Sequence, residues 1–163
     1  MTDAVMKIVE ESAKLLNSTL ETLAAIRTEM DKLSSTLPEY ETVMSLYGVG
    51  RVLGSQLIAE IGDVRRFEHA KSIVAMAGID PPPNQSGQVD VKSRSISKRG
   101  SPLLRKTLFQ IMQVIIQKQP VIEPVYQFLD RKRAEGKPYR VYMVAAANKF
   151  LRIYYARIME AIA

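Results

Sequence analysis

Cysteine and tryptophan are absent from the 163 residues, and histidine occurs once, as His69. Without cysteine there are no disulfides, thiolate zinc sites, iron–sulfur clusters or cysteine nucleophiles. One histidine excludes multi-histidine metal sites and most histidine-based acid–base chemistry. No apolar run reaches the roughly 18 residues that a membrane-spanning helix needs. The opening Met1-Thr2-Asp3-Ala4 carries neither a basic region nor an apolar h-region, so no secretory signal is legible and the cytoplasm is the expected location. The rest has an ordinary globular balance, 47% hydrophobic and 25% charged. Its length suits one domain with a helical appendage.

Charge is unevenly spread. The net +6 divides into −4 over residues 1–45 and +10 over residues 46–163. A basic domain behind an acidic front end implies an anionic partner, most often nucleic acid.

The pattern is all-α. Positions 2, 5, 9, 12, 16, 19, 23, 26, 30, 33 and 37 follow a 3–4 spacing, and eight of the eleven are apolar: Val5, Val9, Leu16, Leu23, Ile26, Met30, Leu33 and Leu37. This predicts one long helix over 2–37, about 54 Å from end to end at 1.5 Å per residue. A small domain cannot cover that length, so residues 1–38 read as a coiled-coil segment that pairs with another helix. Residues 39–163 read as a helical domain. Its first part, 39–61, has a helix to about Leu46, the turn Tyr47-Gly48-Val49-Gly50 and a helix over 51–61, the order of a helix-hairpin-helix. A short helix over 70–77 ends at Gly78. Ser101-Pro102 marks an N-cap and first helical residue, opening a helix to Lys118. Two more follow, one from Pro124 to Glu135-Gly136 and one from Pro138 to about Ile162. Between them and the front, residues 80–101 are rich in Pro, Ser, Gly and base, with no helical period; Val89 and Val91 alternate with polar neighbours, compatible with a small β-hairpin around Lys92-Ser93.

Two segments carry chemistry. In the turn, Gly48, Val49 and Gly50 can present backbone N–H groups at a helix N-terminus, an anion site suited to a DNA phosphate, with Arg51 at its edge. In the loop, Lys92, Arg94, Lys98, Arg99 and Arg105 can follow a phosphate backbone. Residues 88–106 hold six bases against one acid, Asp90, and five serines fall between 86 and 101. A serine hydroxyl can attack phosphorus when its proton is removed and the phosphate charge is neutralised. Other residues have plainer readings: Glu60 and Asp63 as caps or exposed acids, His69 in a local polar contact, Tyr154 and Tyr155 split between core and surface. Arg131-Lys132-Arg133 suits a helix C-terminus and equally nucleic acid.

Taken together, Tyr47-Gly48-Val49-Gly50, Ala59-Glu60-Ile61-Gly62-Asp63, Arg66-Phe67, Ala75-Met76-Ala77-Gly78-Ile79-Asp80-Pro81, Gln85-Ser86-Gly87, Ile96-Ser97-Lys98-Arg99-Gly100 and Leu104-Arg105 form an ordered set. This set resembles the C-terminal transposase domain of the insertion-sequence 110/116/902 family in order and spacing. The likeness is close over about 40–115 and looser from Gly136-Lys137-Pro138 onward. It implies a part of a DNA recombinase that moves an insertion sequence. In such enzymes a RuvC-like domain with four acids (DEDD) holds Mg²⁺, a coiled-coil segment follows, and a serine forms a phosphoserine link to DNA. Ser86 matches that serine. A bridging RNA is a further partner in part of the family.

Before residue 40 the only acids are helical, such as Glu10, Glu11, Glu21 and Glu29, and no DEDD set is legible. The chain is therefore expected to be a fragment that has no metal site or cofactor of its own and is inactive alone, with Mg²⁺ confined to the absent N-terminal domain. Expected partners are DNA, a bridging RNA and further copies of the chain through residues 1–38, with no membrane. Two other readings stand beside this one: a non-catalytic helix-hairpin-helix module that holds DNA or RNA, and a coiled-coil adaptor.

Overall fold

The computed structural model describes residues 3–81 and 95–163. Among these the regular structure is entirely helical, so the all-α expectation holds. Ser86, Lys92, Arg94 and the expected hairpin around Lys92-Ser93 lie outside the described residues.

The chain opens with α1 (Asp3–Ser34), followed by α2 (Tyr40–Met44), α3 (Arg51–Ile61), a 3-10 turn (Val64–Arg66) and α4 (Ala70–Met76). After the basic segment come α5 (Pro102–Lys118), α6 (Pro124–Ala134) and α7 (Tyr139–Ala161). None of these helices is long and apolar enough to cross a membrane. α1 stops three residues short of the expected Leu37. There the Ser35 and Thr36 hydroxyls bond back to the carbonyls of Lys32 and Leu33, at 2.7 Å each. Short polar side chains that satisfy carbonyls locally compete with continued helix. A turn then carries the chain through Pro38 into α2, with Tyr40 N–H on the Leu37 carbonyl at 3.1 Å.

Capping residues set the later boundaries. The Ser101 hydroxyl accepts the Leu104 N–H at 3.1 Å and Pro102 opens α5. The Glu123 carboxylate does the same for Tyr126 N–H at 2.6 Å, with Pro124 opening α6.

One hydrophobic core joins α2 through α7. Helix α7 is its axis: Met143, Ala146, Ala147, Phe150, Leu151, Tyr154 and Ile158 are all buried, and the helix packs on α2, α4, α5 and α6. Opposite lies α5, whose Leu104, Leu108, Ile111, Met112 and Ile115 are fully buried. Tyr154 lies in this core; burial pushes its phenol pKa well above the usual value. By contrast α1 meets the domain near its C-terminal end, on α3 and, through Asp31, on Tyr40 of α2. Ser34 is its one buried residue, and residues 3–29 are exposed throughout.

Candidate nucleic-acid interface

The turn between α2 and α3 is shaped by two glycines with different roles. Gly48 has φ +81°, and a Cβ there would press on Ile111 and Ile115 of α5 at 3.2–3.3 Å. Both its backbone conformation and its packing call for glycine. Gly50 is extended, at φ −105° and ψ 175°, and a Cβ there would meet nothing within 4 Å. It sits at the N-cap of α3 with no side chain capping the helix, so the first amides of α3 have no capping partner from it. Val49 is half-buried and packs against the core. Arg51 is 83% exposed, and its Nε lies 3.9 Å from Asp31 Oδ2, too loose and too wet a pair to hold the guanidinium. The same Asp31 accepts the Tyr40 hydroxyl at 2.7 Å, which raises the Tyr40 pKa, and the Ser55 hydroxyl at 3.3 Å. Asp31 thus ties the end of α1 to α2 and α3.

A second construction joins both ends of the basic segment. α4 ends in a turn at Gly78, φ +63°, and Ile79 anchors the chain in the core. The returning residues 95–101 then run against this turn. Ser97 N–H donates to the Asp80 carbonyl at 2.8 Å, Lys98 N–H to the Gly78 carbonyl at 3.0 Å, and Ser101 N–H to the Met76 carbonyl at 2.6 Å. The Ser97 hydroxyl adds a bond to the Asp80 carboxylate at 2.6 Å. Gly100 passes so close to the Met76 carbonyl that a Cβ would collide with it. Ser101 also donates its hydroxyl to Glu60 Oε2 at 2.6 Å, fastening α5 to α3. The two roots of residues 82–94 are therefore clamped side by side.

Within this clamp the basic residues divide. Lys98 and Arg99 are exposed, and Lys98 holds φ +55°, rare for a residue other than glycine. Arg105 turns inward: Nη1 donates to the Ala77 carbonyl at 2.9 Å, closing the C-terminus of α4. The turn at 48–51 and the clamp lie toward opposite ends of α3. Nine residues separate Arg51 from Glu60, about 14 Å of helix.

A third cationic focus surrounds Phe128 on α6. Arg131, Lys132 and Lys149 lie 5.3, 5.9 and 5.7 Å from its ring centre. Lys132 also pairs with Glu135, whose carboxyl pKa this bond lowers. Two of the plainer readings find their contacts: Asp63 caps the 3-10 turn through Arg65 N–H at 2.9 Å, and Tyr155 is half-buried with its hydroxyl on the Phe67 carbonyl at 2.9 Å. His69 precedes α4 as an exposed N-cap residue with no side-chain cap bond. Among the described residues no group of three His, Asp or Glu side chains could hold a metal ion. Sequence reasoning also missed a groove beside the clamp, lined from α5 and α7.

The described domain is all-helical, and Lys98 and Arg99 stand exposed at the downstream side of its clamp. The profile of the "Transposase IS116/IS110/IS902 family" matches residues 40–127, more than half of the chain, and the chain belongs to this family. It is 29% identical over 121 residues to the "Insertion element IS900 uncharacterized 42 kDa protein" of Mycobacterium paratuberculosis, covering 74% of this chain and 29% of that protein. A Sinorhizobium fredii protein, provisionally named a transposase, is 36% identical over 83 residues, 51% of this chain and 20% of its own. The transposase for insertion sequence element IS1111A of Coxiella burnetii is 28% identical over 88 residues, 54% of this chain and 24% of its own. The chain thus spans less than a third of the length of these relatives.

Proposed function

We propose that this chain is the DNA-engaging, serine-bearing part of its transposase, and that Ser86 forms the covalent link to DNA in the complete enzyme. The observation that supports this best is the clamp. The family-like motifs at 75–81 and 96–100 meet in space, and the chain between them carries Ser86. Gly78, Gly100, Asp80 and Ser97 bring the two roots together by the contacts given above.

In the proposed step, Ser86 Oγ attacks a backbone phosphorus and its proton passes to a base. The new Oγ–P bond forms as the bond from phosphorus to one strand oxygen breaks, and that oxygen leaves with a proton. Lys98 and Arg99, exposed at the downstream root, offset the phosphate charge, together with Lys92 and Arg94. His69, the one histidine of the chain, sits at the start of α4, and in this proposal the base is supplied by another part of the complete enzyme. The exposed N-terminus of α3, with Gly48, Gly50 and Arg51, serves as a helix-hairpin-helix-type phosphate contact that positions the duplex without reading sequence. Arg105 acts here through the clamp, by closing α4, more than by direct contact. Residues 3–29 of α1 pair with a second copy of the chain.

The test uses the complete transposase with its element-end DNA. Ser86→Ala is expected to abolish the protein–DNA adduct seen on denaturing gels and to leave DNA affinity within about twofold, since one neutral hydroxyl carries little of a polyanion contact. An adduct formed at the normal rate by that variant would assign the nucleophile elsewhere.

A further inference from the structure

Beside the clamp a groove of about 510 Å³ opens between residues 95–98, α5 and the first turns of α7. Ile96, Phe109, Val141, Met143 and Val144 make its walls apolar. Two cations, Lys98 and Arg140, join the neutral Ser95 and Gln113 in the lining, and no Asp or Glu is among the described residues that face it. Tyr139 stands at the edge, 52% exposed. Its ring meets Tyr142 edge-on, with centroids 5.4 Å apart at 78°, and Tyr142 packs on the core. An exposed aromatic ring is thereby held in place by a partly buried one.

We propose that this groove seats one unpaired nucleotide of the bound nucleic acid, its base among the apolar walls beside Tyr139 and its phosphate between Lys98 and Arg140. The proposal rests on the DNA reading above and gives that reading a second, single-stranded contact. Three features favour this occupant. The volume is that of a small-molecule pocket, enough for a base and its sugar. Aromatic faces beside guanidinium and ammonium groups are the usual receptors for splayed-out bases. Two cations that no carboxylate faces among the described residues complement an anion. An apolar peptide would fill the walls equally well but would leave both cations unanswered. Position adds to this: Ile96 and Lys98 belong to both groove and clamp. A base seated here would draw its strand out of the duplex next to the segment that bears Ser86.

The decisive measurement is a titration of the methyl-labelled 163-residue chain with deoxyadenosine monophosphate, followed by nuclear magnetic resonance. The methyl signals of Ile96, Val141, Met143 and Val144 are expected to move together and to saturate at millimolar nucleotide. Tyr139→Ala should weaken this binding by about fivefold or more, as lost base stacking does. Arg140→Ala should weaken the monophosphate and spare unphosphorylated deoxyadenosine. Both side chains are exposed, so unchanged far-ultraviolet circular dichroism is expected for each variant. Unmoved groove methyls, or shifts that inorganic phosphate reproduces fully, would overturn the proposal. So would shifts produced by an apolar peptide but by no nucleotide. Duplex affinity is measured separately: a chain that binds duplex but leaves these methyls unmoved loses the groove and keeps the DNA reading.

Discussion

At the residue scale, glycines separate fold from site. Gly100 is fixed by a backbone neighbour, the Met76 carbonyl, which cannot rotate away. Gly100→Ala is therefore expected to cost about 3 kcal/mol, the upper range for overpacking. Gly50→Ala meets open space in an ordinary conformation and should cost no more than about 1 kcal/mol, from the poorer N-cap alone. Urea unfolding of the two variants checks the contrast; equal losses would mean that the clamp is not as tight as it looks. Both glycines stand in the sequence motifs, yet nothing in the motifs says which one the fold requires. Arg105 makes a similar point. Its charge suggested a phosphate contact, but its guanidinium serves a carbonyl 28 residues away in sequence. Composition reports charge and not direction, and a partner so distant leaves no local pattern.

Helices were the most legible elements because their ends are chemically marked. Ser101-Pro102 starts α5 as its capping chemistry predicts, and α3 covers the predicted 51–61. Pro124 opens α6 and Gly136 follows its end with φ +73°. The largest boundary shift, at the end of α1, turns on hydroxyl-to-carbonyl bonds that apolar spacing does not report. The groove was illegible for another reason: Phe109 and Tyr139 are 30 residues apart and belong to two helices whose apolar patterns each look complete. For α1 the 3–4 stripe found its expected helix but only a short stretch of its own domain to cover it. Leu16, Leu23, Ile26 and Leu33 remain 39–62% exposed. An apolar stripe of that length in water favours pairing. The chain is expected to self-associate at micromolar concentration. Leu23→Lys should weaken the assembly at least about tenfold, because pairing would bury an unpartnered charge. Sedimentation equilibrium reads both, and a monomer at high micromolar concentration for the parent chain would refute pairing through α1.

At the scale of the whole molecule, charge and shape divide the same way. Half of the −4 of residues 1–45 lies on the protruding α1, with Glu39 and Glu41 supplying the rest, and the +10 of residues 46–163 belongs to the helical domain. Three cationic foci mark that domain among the described residues: exposed Arg51 at the head of α3, exposed Lys98 and Arg99 at the clamp, and Arg131 with half-buried Lys149 around Phe128. None is a base-reading element, so duplex binding by the isolated chain is expected to be weak and indifferent to sequence. Each neutralised phosphate adds about −0.9 to the slope of log K against log salt, so four or five contacts give roughly −4. Arg51→Ala should make the slope shallower by about one, with the same loss on unrelated duplexes, because a backbone contact carries no sequence information. Arg105→Ala should change the slope less than Arg51→Ala while lowering stability, since its guanidinium closes α4. Anisotropy titrations at several salt concentrations separate these outcomes. A flat response for the parent chain would remove the polyanion partner, and with it the reason for so basic a surface on this domain.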